Sequence, residues 1–470
     1  VSGARFLAAE AGQRDAAEDQ RSRDEEAHGQ RLFKENHAAK RGDGRDGKLR
    51  NGREAGAEIT ERRIPDRIAE RRGDCAGGQR IGGAFHGWRA FAGNKQSRQA
   101  DEQAERCRAR EIPGGEQGGL ALPAPAKRID APADPGDGHE EGAGQWQVCD
   151  PNSVNDFSAV GYFFGRRLHK DLKVPVGLIG SNWGGTRIEP WTTLAGFDSV
   201  PELSEISKKV QNYKQDTRVG GGDPSAIYNS MVHPLTPFAM RGGIWYQGES
   251  NGSEGITYYQ KKHALVNGWR KAFQNKDLAF YWVQLANFQN ENDKPEGGDG
   301  WAKLREAQTK ALDIPGTGMA VITDIGAAND IHPRNKQDVG SRLAQWALHQ
   351  TYGQKNLVPS GPLYQSHKVE GTTIRLSFDH VGSGLMVGKK NGLEPTAEVK
   401  GGKLEHFSIS GKDNKWVWAD ARIDGQTVIV ASKEVSEPVA VRYGFTMNPA
   451  KANLYNKEGL PAGPFRTDTE

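Results

Sequence analysis

The chain has 470 residues, with 63 Lys and Arg against 60 Asp and Glu, 12 His and three Cys. That length suits two to four domains, and charge so close to balance excludes a strongly basic or acidic partner as the organising feature. No run approaches the ~18 consecutive apolar residues of a spanning helix, and residues 1–30 hold no short apolar core of a secretory signal, so neither a membrane partner nor a leader is expected. Cys75, Cys107 and Cys149 are too few and too scattered for a disulfide framework, and no paired Cys/His spacing suggests zinc.

A compositional break lies near residue 140. Residues 1–140 contain 21 Arg and 5 Lys, whereas residues 141–470 contain 13 Arg and 24 Lys. The first part has no Tyr, and its Leu, Ile, Val and Phe together number 16, far below the roughly 20% at which a packed core becomes doubtful. Disorder is the expectation for residues 1–143. Its 26 positive charges are matched by 25 negative ones, well mixed, so a nucleic-acid tail is not expected. No start Met, Arg richness and the near absence of Val and Tyr also fit a GC-rich stretch translated in the wrong frame, in which case this segment is not genuine.

From Trp146 the pattern is that of a folded protein. Residues 155–172 place Phe157, Val160, Gly161, Phe164 and Leu168 at helical spacing, with Asn155 or Ser153 as cap, and a buried strand follows over 174–180. Strands are predicted at 242–246, 278–285 and 319–323, and helices at 258–273, 301–312 and 337–352. Short apolar runs alternating with amphipathic helices predict a doubly wound α/β domain with a parallel sheet over 144–358. After Pro359 the period changes to two (Ile374, Leu376, Phe378; Trp416, Trp418; Val428, Val430), which predicts a β-sandwich region over 359–470. Two polar loops, 219–225 and 287–300, interrupt the α/β part, and the second is long enough for a lid as well as for an ordinary surface loop.

Sheets of this kind bind ligands beyond the carboxyl ends of their strands, and three such ends carry unusual polar sequence. In Asp330-Ile331-His332 a carboxylate two residues from an imidazole can accept the Nδ1 proton and leave Nε2 as general base. Gly184 and Gly185 offer unobstructed backbone N–H groups and Gln247 a side-chain amide, donors suited to a developing oxyanion. Each alone is more often a turn or a satisfied polar group; their convergence at three strand ends is what points to a site.

The stretch FSAVGYFFGRRLHKDLKVPVGLIGSNWGGTRIEPW, then YNSMVHPL, GGIWYQGESN, DIHPRNKQDVGSRLA and, near the end, RYGF and NLYNKEGLPAGPFRTD resembles the sialate O-acetylesterase family of SGNH-type serine carbohydrate esterases. The resemblance spans about residues 144–468. It implies a flavodoxin-like SGNH fold, hydrolysis of acetyl esters on sialic acid or related sugars, and no cofactor. It makes His332 the base, Asp330 its orienting partner, Gly184 or Gly185 and Gln247 the oxyanion donors, and Glu249 and Asn251 supporting residues. Arg187 and Glu189 are candidate substrate contacts, with a structural ion pair the stronger reading. An exported location is implied as well.

The family's nucleophile is a Ser in a G-Q-S-N-like block after the first strand, ahead of residue 155, and no such block is found: Ser97 has no recognisable strand or glycine elbow before it, and Ser181 and Ser250 fall in later blocks. The nucleophile is therefore unassigned. The first strand and its block are expected to be missing from the sheet, and a non-catalytic carbohydrate-binding pseudoenzyme stands as the alternative to an active esterase.

Overall fold

The computed structural model describes residues 86–91, 121–123, 146–151, 153–155, 157–214 and 219–468, the first two segments by backbone alone. Seven strands form the main sheet: β1 (His86–Phe91), β2 (Ala121–Pro123), β3 (Trp146–Val148), β4 (Val176–Ser181), β5 (Gly242–Trp245), β6 (Ala279–Val283) and β7 (Thr317–Ala320). Their spatial order is β3-β2-β4-β1-β5-β6-β7. Neighbours run parallel except β3, which is antiparallel to β2. The expectation of a purely parallel sheet is corrected at that edge.

A second correction concerns the first strand. Residues 86–91, inside the segment expected to be disordered, occupy the central position between β4 and β5, with Phe91 opposite both Ser181 and Trp245. Low hydrophobicity averaged over 140 residues hid a six-residue strand, because pairing on both sides supplies backbone hydrogen bonds that composition does not report. Ser97 thus does follow a strand, although Ser97 itself, like the rest of the Arg-rich segment apart from β1 and β2, lies outside the described residues.

The helices are α1 (Ala159–Leu172), α2 (Leu194–Asp198), α3 (Ser204–Gln211), α4 (Ile256–Ala272), α5 (Ala302–Lys310) and α6 (Lys336–Trp346). α1 begins later than the sequence suggested, because the cap is Ser158, whose Oγ accepts from the Gly161 N–H at 3.2 Å. It ends where Lys173 turns left-handed (φ 57°). Strands β4 to β7 are buried throughout, as a sheet covered on both faces requires. One face packs Phe164, Leu168, Leu178, Tyr281 and Leu343 with α1 and α6; the other packs Trp191, Trp245, Trp269, Phe280 and Trp282 with α4 and α5. α1 and α6 approach closely through Gly340, where a Cβ would lie 2.7 Å from Phe163 Cβ and Val160 O. The helix predicted to reach Tyr352 is α-helical only to Trp346 and finishes as a π turn over Ala347–Thr351.

The C-terminal region is built of antiparallel sheets from β8 (Leu363–Glu370), β9 (Thr373–Asp379), β10 (Leu385–Lys389), β11 (Ala397–Glu398), β12 (Phe407–Gly411), β13 (Trp416–Trp418), β14 (Asp420–Asp424), β15 (Thr427–Ala431), β16 (Pro438–Tyr443), β17 (Leu454–Asn456) and β18 (Phe465–Arg466). The orders are β14-β15-β9-β8, β13-β12-β16-β18 and β11-β10-β17. Ile374, Leu376, Ile409, Val428, Val430 and Val441 are completely buried in one shared core.

Loop 287–300 is a strap rather than a lid. Gln289 N–H donates to Ala328 O at 2.8 Å, Gly298 N–H to Phe445 O at 2.7 Å, and Thr446 Oγ1 to Asp299 at 2.6 Å. Gly300 (φ 54°) passes so close to Met447 that a Cβ would meet its sulfur at 2.5 Å. Beneath the strap the fully buried Arg305 donates to the carbonyls of Leu285 (2.8 Å), Thr446 (2.6 Å), Met447 (2.8 Å) and Ala286, joining the C-terminal region to the main sheet.

Candidate active site

Because β4, β1 and β5 are parallel neighbours, the loops leaving their carboxyl ends emerge side by side. The loop after β4 carries Gly184 and Gly185, both exposed. Gly185 has φ +70° with open space where a Cβ would stand, a conformation that glycine adopts without penalty. The loop after β5 carries Gln247, Glu249 and Asn251, and it is bonded to the first at several points: Ser250 Oγ donates to Gly185 O at 3.0 Å, Arg187 to Ser250 O at 2.9 Å, and Ile188 N–H to Asn251 Oδ1 at 3.0 Å.

Gln247 is buried and fully engaged. Its Nε2 donates to Thr186 O (3.0 Å) and to Asn251 Oδ1 (2.8 Å), and Tyr258 Oη donates to its Oε1 at 2.9 Å. An oxyanion would have to displace one of these acceptors to receive a Gln247 N–H, whereas the Gly184–Gly185 turn is already open.

Glu189 belongs to a buried ion network that the more exposed Arg187 joins from its rim. Lys261 Nζ, its side chain only 6% exposed, lies 2.7 Å from Glu189 and 2.6 Å from Glu254, while Arg187 reaches Glu189 at 3.0 Å and also contacts Glu254. Asn251 Nδ2 donates to the other Glu189 oxygen at 3.1 Å. Burial alone would raise the Glu189 pKa, but the Lys261 hydrogen bond and charge, a backbone N–H and the Asn251 amide hold it below the usual carboxylate range. This is the structural ion pair expected as the stronger reading, and it occupies Glu189 completely.

The third loop, after β7, brings Asp330 and His332 together. Asp330 Oδ1 accepts from the His332 backbone N–H at 2.9 Å and lies 3.6 Å from His332 Nδ1, with Arg334 Nε 3.6 Å from Oδ2. The two side chains thus lie together, with the ring nitrogen just beyond hydrogen-bond length. The His332 ring is two-fifths exposed. Burial and the Lys336 charge push its pKa down, opposed by Asp330. The loop is braced from both ends. Arg342 of α6 grips Asp324 at 2.6 Å. Asn335 caps α6 by accepting from Asp338 N–H (3.0 Å) and donates to Gly392 O (3.0 Å), and Lys390 pairs with Asp338 at 2.6 Å.

Glu249 is half-buried; burial raises its carboxyl pKa, with backbone N–H groups and the Lys336 charge acting against it. Ser181 is 2% exposed and donates to Met231 O at 3.4 Å. With Ser250 bonded to Gly185 O, neither serine presents a free hydroxyl.

Sequence reasoning missed Tyr258, Lys261 and Lys336. The first two lie at i and i+3 on α4, with the buried Leu265 at i+7, so a polar pair at the spacing of an apolar stripe was the available signal. Lys336 stands four residues beyond His332, in the motif already singled out.

Residues 145–349 match the family described as carbohydrate esterase, sialic acid-specific acetylesterase. Human sialate O-acetylesterase is 31% identical over 331 residues, 66% of this chain and 60% of its own length; the Pongo abelii protein is 30% identical over the same span, and the mouse protein 28%. The chain thus spans about 60% of the length of these relatives. The crystal structure of a carbohydrate acetylesterase from Xanthomonas citri superposes with a TM-score of 0.66 at 37% identity, covering 82% of this chain and 81% of that one. The blocks WGGT, WYQGESN and DIHP fall at the carboxyl ends of β4, β5 and β7 of one sheet, and the chain belongs to the sialic acid-specific acetylesterase family of carbohydrate esterases.

Proposed function

We propose that the α/β part is an SGNH-type domain that hydrolyses acetyl esters on sialic acid or a related sugar by serine-type acyl transfer. The observation that supports this most is the Asp330–His332 pair after β7, at the same carboxyl edge of the sheet as the open Gly184–Gly185 turn after β4. In this reading a hydroxyl loses its proton to His332 Nε2 as it attacks the acetyl carbonyl. The carbonyl oxygen takes up the negative charge against the Gly184 or Gly185 N–H, with Gln247 as second donor, and Asp330 stabilises the imidazolium. Collapse expels the sugar oxygen, which takes the proton from His332; water then repeats the sequence and releases acetate. The attacking hydroxyl is left unassigned. Glu249 and Asn251 support the loop, and an O-acetylated sugar is the partner. An exported location belongs to the same reading.

A specific observation favours a second reading, a carbohydrate-binding protein without turnover: Ser181 is buried and the Ser250 hydroxyl is committed. Hydrolysis of an aryl acetate and of O-acetylated sialic acid by the full chain, beside His332→Ala, separates the two. Turnover lowered about 10²- to 10⁴-fold by the substitution, the span expected for a general base, supports the esterase. Saturable binding of the acetylated sugar without acetate release supports the second.

A further inference from the structure

The loops after β4 and β5 are joined by direct hydrogen bonds, but the loop bearing the base is joined to them differently. Lys336 is the first residue of α6, four positions beyond His332. Its Nζ lies 5.2 Å from the centre of the Tyr246 ring, the residue immediately before Gln247. Among the described residues, Glu249 on the β5 loop and Asp330 on the β7 loop are the acidic groups that act on this ammonium. A single side chain thus spans from the start of α6 to the Q-G-E-S-N block.

We propose that Lys336 is a positioning residue for the base: set over the Tyr246 ring from the first turn of α6, its ammonium links the base loop to the β5 loop and opposes a second positive charge on His332. The inference rests on the reading of His332 as the base for its purpose, though not for its physics.

The charges that act on His332 are Lys336 on α6 and Asp330 on its own loop; behind them, Arg334 lies 3.6 Å from Asp330, and Glu249 after β5 acts on Lys336. Asp330 favours the imidazolium and Lys336 opposes it. Burial draws the Lys336 pKa down to about 8, with Glu249 and Asp330 acting to raise it, so the ammonium form prevails at neutral pH. An aromatic face suits such a cation because ring quadrupole attraction replaces part of the lost hydration. A merely structural lysine would brace the loops equally well without moving the proton equilibrium of the imidazole.

The test is a titration of the His332 Cε1–H resonance by NMR on the full chain, assigned by its loss in His332→Gln. In Lys336→Met the His332 midpoint moves to higher pH than in the wild type, and in Lys336→Arg it stays low. A second measurement needs no variant at Lys336: in the wild type the His332 and Tyr246 ring signals show a further small step near pH 8 as Lys336 deprotonates. An unchanged His332 midpoint in a folded Lys336→Met, or no such step in the wild type, overturns the proposal. The titration is independent of turnover. A chain that fails to hydrolyse acetyl esters but shows these shifts refutes the esterase reading while supporting the role of Lys336.

Discussion

Replacing Lys261 with Met removes the cation that bridges two carboxylates under the site. Lys261 is 6% exposed, and the Glu189 and Glu254 side chains are 10% and 13% exposed, with contacts of 2.7 and 2.6 Å. Deleting one partner of a buried pair costs about 3–5 kcal/mol, because an uncompensated charge is left behind. Arg187 still reaches both carboxylates, but its side chain is 45% exposed and its contribution is screened by solvent. The low end of that range, about 3 kcal/mol, is therefore expected. With an unfolding entropy of roughly 2.1 cal/mol/K per residue over roughly 320 residues, this corresponds to a Tm lower by about 5 °C. The pH dependence supplies a second readout. The Glu189 pKa is lowered on folding, so its stabilisation is present above the unfolded value and is lost as pH falls through the folded one. The gap between wild type and variant should be full at neutral pH and shrink below the ordinary carboxylate range. Thermal melts of both proteins from pH 7 down to pH 3 measure it. A variant within about 1 °C of wild type at pH 7, or a gap constant with pH, refutes the assignment of the network as a stabilising buried ion cluster.

Arg305→Met strips a fully buried guanidinium from four backbone carbonyls; at about 1–3 kcal/mol for each acceptor left without a partner, the protein should become largely insoluble on expression. Tyr258→Phe removes the hydroxyl that donates to Gln247 O and Oε1. A loss of about 1–3 kcal/mol is expected in denaturant melts, with a larger proportional fall in acetyl ester turnover as the Gln247 amide is released. Gly318→Ala places a Cβ 2.4 Å from the Trp346 ring. Overpacking of about 1–3 kcal/mol should follow, together with loss of the Trp346 Nε1 bond to Met319 O, visible as a shift in tryptophan emission.

Much of the architecture was legible from periodicity. Phe164 and Leu168 on α1, the apolar run 174–180 and the alternation Ile374, Leu376, Phe378 each declare their element, because burial imposes a pattern that neighbouring residues cannot disguise. Asp330-Ile331-His332 and Gly184-Gly185 could be picked out as candidates, since both groupings are local in the chain. What could not be read were relations between distant positions. The backbone of residues 86–91 pairs with β4 and β5 although the long segment around it is poor in apolar residues, and only the sheet itself supplies those bonds.

Gln247 shows the same division at the level of one side chain. Its amide and its place after a strand follow from sequence, and they suggest a free donor. That both N–H groups are taken by Thr186 O and Asn251 Oδ1 depends on partners that only the folded loops bring near. Glu189 likewise reads from sequence as the partner of Arg187, a substrate contact or more readily a structural ion pair, and its burial against Lys261, 72 positions later, comes only from the way α4 packs. By itself, the sequence determined which residue types stand at each strand end, and so the chemistry on offer. Tertiary structure alone decided which of those groups face one another and which are already spent, because hydrogen bonds and desolvation act through space and not along the chain.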